Sequence, residues 1–426
     1  MAEKNLLDIL QELNYRNKKP MNIGYLRTKY LEYIQKSFGT KNLIKVLLWE
    51  RRSGKSVIMK QLISYLINEK NIQPENILYL DLEQYNLLKE IKNADDLERV
   101  VNFYLENIHK EGTVYLFIDE IQLIQNWELY VNGLRANDNK DFEIIISWSN
   151  SKLLSWELAT RLSWRYISFF IQPFSYEEYI WVTWEVKGIE SLAKYLNIWW
   201  MPELFSLNDE WLRTNYIKQL NDTIIFKDIS SRYWIKDIST LISLYVFLLG
   251  NIGNLFSINT IVKKLKSENI ETSVPTIWRY LCYFKDAYIF HEVSRYDLIG
   301  KKVLEWEKKY YLNDLSFLNY SLSNYVDYNW KKLENFVYNY LIWKGYDVYV
   351  WKIGDNEVDF IAEKAGKKIY IQVAYSIPDE RVAEREYWNL IKIKDSFPKY
   401  VITMDPMNYG VDEYGIIHQQ AWNINL

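Results

Sequence analysis

Glycine is scarce in this chain, at 14 of 426 residues, where ordinary usage of about 7% would supply roughly 30. Cysteine occurs once, as Cys282, which excludes a disulfide framework and a cysteine-based zinc site. The three histidines, His109, His291 and His418, are too few and too scattered to suggest a metal cluster. Long apolar runs are missing as well. The longest spans residues 241–249, far short of the roughly 20 residues that cross a bilayer. The first ten residues include Glu3 and Asp8 and hold no apolar signal core. A net charge of −3 leaves no global basic field that would argue for nucleic acid. These absences predict a soluble, cytoplasmic protein with no membrane partner.

What is present starts with apolar content. Hydrophobic residues make up 49% of the chain, enough for substantial cores, and the length fits about three domains. Tryptophan is over-represented, at 18 residues, and its excess mirrors the glycine deficit.

One stretch organises the rest: Trp49, Glu50, Arg51, Arg52, Ser53, Gly54, Lys55, Ser56. An apolar run over residues 43–48 predicts a strand before it, and residues 57–67 predict a helix after it. Strand, glycine-containing loop, Lys-Ser and helix is the context of a phosphate-binding loop, G-x-x-x-x-G-K-[ST]. Backbone N–H groups of Arg52, Ser53, Gly54, Lys55, Ser56 and Val57 would cradle the phosphates at the positive end of the helix. Lys55 would reach the β- and γ-phosphates of ATP, and the Ser56 hydroxyl would hold Mg²⁺. Trp49 stands where the pattern has its first glycine.

Further along, residues 77–81, 113–118, 142–146 and 166–171 predict strands, with helical spacing over 94–108. This alternation implies a parallel sheet covered by helices. The strand at 113–118 leads into Asp119 and Glu120. In a nucleotide hydrolase the first supports Mg²⁺ and the second polarises the attacking water, whereas taken alone such a pair is a solvated turn. Asn150, after the strand at 142–146, is a candidate sensor of the γ-phosphate. Arg161 and Arg165 are candidates for an arginine finger, acting in cis or from a neighbouring copy. A helical region follows Pro173 to about residue 240. Helices over 257–266 and 276–284, then strands over 288–294 and 309–312, suggest a winged helix. A helix over 331–343 and strands over 347–350, 357–362 and 368–373 suggest a small α/β unit.

The order Arg51-Arg52-Ser53-Gly54-Lys55-Ser56, Asp119-Glu120-Ile121-Gln122 with Trp127-Glu128, Ser149-Asn150-Ser151-Lys152, Arg165-Tyr166 and Pro173-Phe174-Ser175 resembles a group of archaeal-type AAA+ ATPases with a C-terminal extension of unknown function. The resemblance implies an α/β P-loop core over residues 1–175 and a helical lid over 176–240. It also implies a winged-helix-like domain over 241–325 and a domain of restriction-endonuclease-like PD-(D/E)XK fold over 326–426. Nucleases of that class use a helix Glu, a strand Asp and an acid-x-Lys pair to hold Mg²⁺ and orient water. Glu334 and Asp359 match the first two positions, but the third reads Gln372-Val373-Ala374, which predicts a degenerate nuclease. The winged helix could hold DNA through residues 276–284, with Arg279 and Lys285 toward phosphates, or serve as a joint. Lys263, Lys264 and Lys266 form a basic face or a solvated one.

The expected function is an Mg²⁺-dependent ATPase that couples nucleotide state to its C-terminal domains and to an unknown protein partner. The alternatives are a nucleotide-switched DNA-binding or regulatory module and, third, a metal-dependent nuclease. At Trp49, Trp148, Trp156, Trp164, Trp199 and Trp200 the resemblance implies glycine. The pattern predicts a genome that reads UGA as glycine, with these codons rendered here as tryptophan. Trp127, inside a family motif that carries tryptophan, is expected to be genuine.

Overall fold

Aliphatic and β-branched runs without polar alternation form strands buried on both faces. In the N-terminal unit, Met1–Gln172, these are β1 (Ile44–Leu48), β2 (Ile77–Asp81), β3 (Val114–Asp119) and β4 (Phe142–Trp148), joined at one edge by β5 (Tyr166–Phe170). The computed structural model describes residues 2–14, 21–40, 42–49, 52–136, 141–148, 162, 165–197, 201–231, 233–297, 302–322, 329–353, 356–378, 380–407 and 409–426. The sheet runs β2-β3-β4-β1-β5, and every pairing in it is parallel. Parallel neighbours need crossovers. Among the described residues these include α3 (Lys55–Asn68), α4 (Tyr85–Glu90), α5 (Ala94–Asn107) and α6 (Trp127–Ala136), with α1 (Ala2–Leu13) and α2 (Thr28–Gln35) preceding the sheet. Ile44, Val46, Leu78, Leu80, Leu116, Ile118, Ile144 and Ile146 belong to the core of this unit. Because the strands are parallel, their C-terminal ends share one edge, where ligands of open α/β sheets bind.

The second unit, Pro173–Leu426, opens with α7 (Tyr176–Thr183), α8 (Ile189–Asn197) and α9 (Glu210–Asp222), within the region predicted as helical after Pro173, and with α10 (Ile238–Gly250), which runs past its expected end at about residue 240. Ser175 and Glu178 close a capping box at the start of α7. Helices α11 (Ile258–Ser267) and α12 (Val274–Asp286) are capped by Ser257 and Ser273, and proline sits in the first turn of α12. The hairpin β6 (Phe290–Asp297) and β7 (Lys302–Leu312) follows, then α13 (Ser316–Leu322) and α14 (Asn329–Trp343). The chain ends with β8 (Asp347–Ile353), β9 (Asn356–Lys364), β10 (Lys367–Ala374), α15 (Glu380–Ile391), β11 (Lys399–Thr403) and β12 (Ile416–Gln420).

These strands form one sheet in the order β12-β11-β10-β9-β8-β6-β7. The hairpin joins it through a parallel pairing of Arg295 with Val350, so the sheet runs across position 325. Leu333, Val337 and Leu341 of α14 share a core with Phe360 and Ile371. Leu390 of α15 clusters instead with Val358, Ile361, Tyr370 and Val401. No helix among the described residues is long and apolar enough to cross a membrane.

Among the described residues, three tryptophans have a backbone that favours glycine: Trp49 (φ 151), Trp184 (φ 59) and Trp234 (φ 52). A bulky residue with positive φ is an outlier. Trp184 is the C-cap of α7 in the left-handed conformation, the position where helices most often place glycine. Its side chain is 86% exposed and that of Trp234 is 87% exposed, so neither indole gains burial that offsets the strain. Trp184→Gly is therefore expected to stabilise the protein by about 1 kcal/mol, or a few degrees in Tm for a unit of this size. An unchanged or lower Tm in thermal denaturation would count against a glycine site.

Candidate functional site

The loop from β1 to α3 turns on Trp49, Arg52 (φ 68) and Gly54 (φ 95). Gly54 is the N-cap of α3 in the left-handed region, with no side-chain cap on the first turn. The amides of that turn are the donors that a helix leaves for an anion. Ser53 is fully buried, and its Oγ has no hydrogen-bond partner among the described residues. Lys55 is buried too, and its Nζ donates to the carbonyl of Trp49 at 3.0 Å. Ser56 and Val57 follow, both half-buried on the first turn of α3. The loop thus supplies a buried ammonium, a hydroxyl and a helix start, a donor set suited to phosphate. The Trp49 ring turns toward the edge strand and meets Phe170 edge-on, with centroids 5.9 Å apart.

Asp119 and Glu120 lie at the same edge of the sheet, one strand beyond β4. Asp119 is buried and accepts hydrogen bonds from the Tyr79 hydroxyl at 3.1 Å and from Ser147 Oγ. Ser147 Oγ in turn accepts the Glu120 N–H at 2.9 Å. Glu120 has a left-handed backbone, φ 58, which turns the chain just beyond β3, and its carboxylate accepts from Gln122 Nε2. Burial first, then the Asp119 charge, pushes the Tyr79 phenol well above its ordinary pKa, so Tyr79 stays a donor.

Tyr79 and Arg27 have no part in the sequence reading, and Ser147 only opens the polar stretch from which Asn150 is taken as the sensor. Arg27 is buried and donates from Nη1 to the carbonyls of Ser53 at 3.0 Å and Gln172 at 2.8 Å. It ties the phosphate loop to the chain beyond β5. Gln61 of α3 steadies it by accepting the Arg27 N–H at 3.2 Å.

Arg165 is exposed just before β5, and its carbonyl accepts the Ile44 N–H at 3.1 Å. It lies close enough to Arg135 to lower the pKa of that guanidinium, after burial. Asn150, Arg161, Trp156, Trp164, Trp199 and Trp200 fall outside the described residues. Trp148 is a buried strand residue whose ring meets Trp127 edge-on at 5.6 Å. That position has a packing partner, and its backbone gives no reason for glycine. Among the predicted basic residues, Lys264 pairs with Glu268 at 2.8 Å and Lys285 lies 3.9 Å from Glu292.

A loop between a parallel strand and a helix, with Lys-Ser opening the helix and an acidic pair ending a strand two places away, defines a P-loop nucleotide-binding protein of the AAA class. Residues 41–180 match the AAA domain family, 189–326 a domain of unknown function (DUF8612) and 331–425 another (DUF4143). An uncharacterized protein of Haemophilus influenzae is 35% identical over 389 residues, covering 88% of this chain and 92% of its own. A Methanocaldococcus jannaschii protein is 31% identical over 360 residues, covering 81% and 77%. This chain belongs to their family; in it an AAA domain is followed by two domains of unknown function. Among solved structures, Aeropyrum pernix ORC1 in complex with DNA matches at a TM-score of 0.33 and 10% identity, over 72% of this chain and 95% of that one.

Proposed function

We propose that this protein is an Mg²⁺-dependent ATPase of AAA type that couples its nucleotide state to its C-terminal domains. One observation carries the reading: the Lys55–Ser56 helix start and the Asp119–Glu120 pair share the C-terminal edge of one parallel sheet. In this reading Lys55 leaves the carbonyl of residue 49 for the β- and γ-phosphates, and the amides of 52–57 bind phosphate oxygens. The Ser56 hydroxyl and Asp119 hold the metal, and the Tyr79 and Ser147 hydroxyls fix the Asp119 carboxylate. Bound Mg²⁺ supplies neutralisation of phosphate charge. Glu120 orients and polarises the attacking water. Asn150 senses the γ-phosphate, and the exposure of Arg165 suits a finger offered to a neighbouring copy.

Residues 176–240 serve as a lid and 241–325 as a winged-helix-like joint. Residues 326–426 are a nuclease-like fold without nuclease activity.

The loop works as described only with glycine at position 49, since φ 151 and close approach to phosphate both disfavour a Cβ. We propose that residue 49 is glycine where the gene is natively translated, and that UGA is its codon. Trp184 and Trp234, exposed in left-handed backbone, support the same reading at sites the sequence pattern did not mark. The codons for residues 49, 184 and 234 are expected to be UGA and that for Trp127 UGG. Finding UGG at all four would sink the proposal.

In a Trp49→Gly background, Lys55→Ala is expected to weaken ATP binding at least tenfold and to abolish turnover. Glu120→Gln is expected to leave affinity within about threefold and to lower kcat by about 10²-fold or more. Equal loss of ATP binding in the two variants, measured by titration with a fluorescent ATP analogue, would show that Glu120 is misassigned.

A further inference from the structure

A cavity of about 670 Å³ in the second unit is lined by Lys309, Glu334, Glu357 and Asp359. One buried ammonium, from β7, meets three carboxylates from α14 and β9, and a second, half-exposed one, Lys352 of β8, lies 4.0 Å from Glu357. Lys309 Nζ lies 2.9 Å from Glu334, 2.7 Å from Glu357 and 3.5 Å from Asp359. The Lys309 and Glu334 side chains are only 2% and 4% exposed. Tyr311 donates its hydroxyl to Glu334 at 2.6 Å, and the Val373 N–H donates to Asp359 at 2.9 Å. Gly253 makes room for the cluster: a Cβ there would come within 2.9 Å of Glu334 Oε2. Gln372 is not part of it, because its side chain donates to Glu386 of α15 at 2.9 Å.

Glu334 and Asp359, buried side by side, need a cation between them, whereas Glu357, with its side chain 32% exposed, is partly solvated. A divalent metal needs such oxygens at about 2.0–2.6 Å from a common centre, and no group of three or more carboxylates among the described residues is placed to hold one. The ammonium sits at that centre and cannot share it, since two cations there would repel at short range in a poorly screened interior. We propose that Lys309 is a tethered counter-cation that takes the place of a divalent metal among Glu334, Glu357 and Asp359 and so keeps this pocket closed to metal-dependent phosphodiester chemistry.

The inference rests on the reading of residues 326–426 as a fold without nuclease activity, and it adds the residue responsible. It is tested on the full chain with MnCl₂ alone, by the EPR signal of free Mn²⁺ and by thermal melting. The unaltered chain is expected to show no Mn²⁺ binding that changes with Glu334→Gln. Lys309→Met is expected to melt lower than the unaltered chain and to recover several degrees in 1 mM MnCl₂. It should also bind one additional Mn²⁺, lost again when Asp359→Asn is added. If Lys309→Met does not accumulate as folded protein, refolding it with and without Mn²⁺ decides the matter, with recovery only in Mn²⁺ as the expected result. A Lys309→Met chain indifferent to Mn²⁺ would overturn the inference alone. Plasmid nicking by the unaltered chain in Mg²⁺ or Mn²⁺, abolished by Asp359→Ala, would overturn the nuclease-free reading and the inference together.

Discussion

The N-terminal unit depends on a backbone constraint at the end of β1. To aim successive amides at an anion, the loop before α3 must leave the right-handed region, and it does so at residues 49, 52 and 54, with φ of 151, 68 and 95. Only Gly54 is the residue type that adopts such angles freely. Arg52 carries a strain of order 1–3 kcal/mol of the kind that persists when surrounding structure over-determines it. That structure is visible here: buried Arg27 grips the carbonyl of Ser53, and Lys55 closes back on the carbonyl of residue 49. Trp49 is harder to accommodate, because it adds a bulky Cβ substituent at a backbone angle, φ 151, that favours glycine.

The acidic half of the site depends on a different device. Asp119 is buried in a sheet whose neighbouring strands are apolar, and an unpartnered carboxylate there would be costly. Tyr79 on β2 and Ser147 on β4 flank it and supply hydroxyl donors. The bond from the Glu120 amide to Ser147 continues this relay into the next residue. Three strands thus hold the Asp119 carboxylate and the Glu120 backbone with a tyrosine and a serine, while the Glu120 carboxylate accepts from Gln122. In the second unit the same problem is met by a lysine, with Lys309 balancing acids brought from α14 and β9.

Much of this was legible in the sequence. Strands β1 to β5 read clearly because buried parallel strands are continuous apolar runs, and the caps Ser257 and Ser273 announced their helices. Lys55, Ser56, Asp119 and Glu120 stood out because their spacing and flanking strands form a motif. Tyr79 and Ser147 did not, since a hydroxyl near a strand end has no signature until the register β2-β3-β4 sets it beside Asp119. Arg27 is distant in sequence from both carbonyls it bonds, and nothing local marks it. Lys309 reads as a strand residue because its partners lie on a later helix and strand. The tryptophans divide on physical grounds. Trp148 takes an extended strand backbone and a partner ring, whereas Trp184 and Trp234 became conspicuous only once their backbone angles were known.

The most direct test of this account is an ATP titration of two full-length proteins that differ only at position 49, in the presence of Mg²⁺. If the loop is a phosphate cradle whose geometry requires glycine, Trp49→Gly binds ATP at least tenfold more tightly than the chain with tryptophan, a difference of about 1.4 kcal/mol. Equal affinities would contradict the account, because the loop would then tolerate an indole where a P-loop admits only bare backbone.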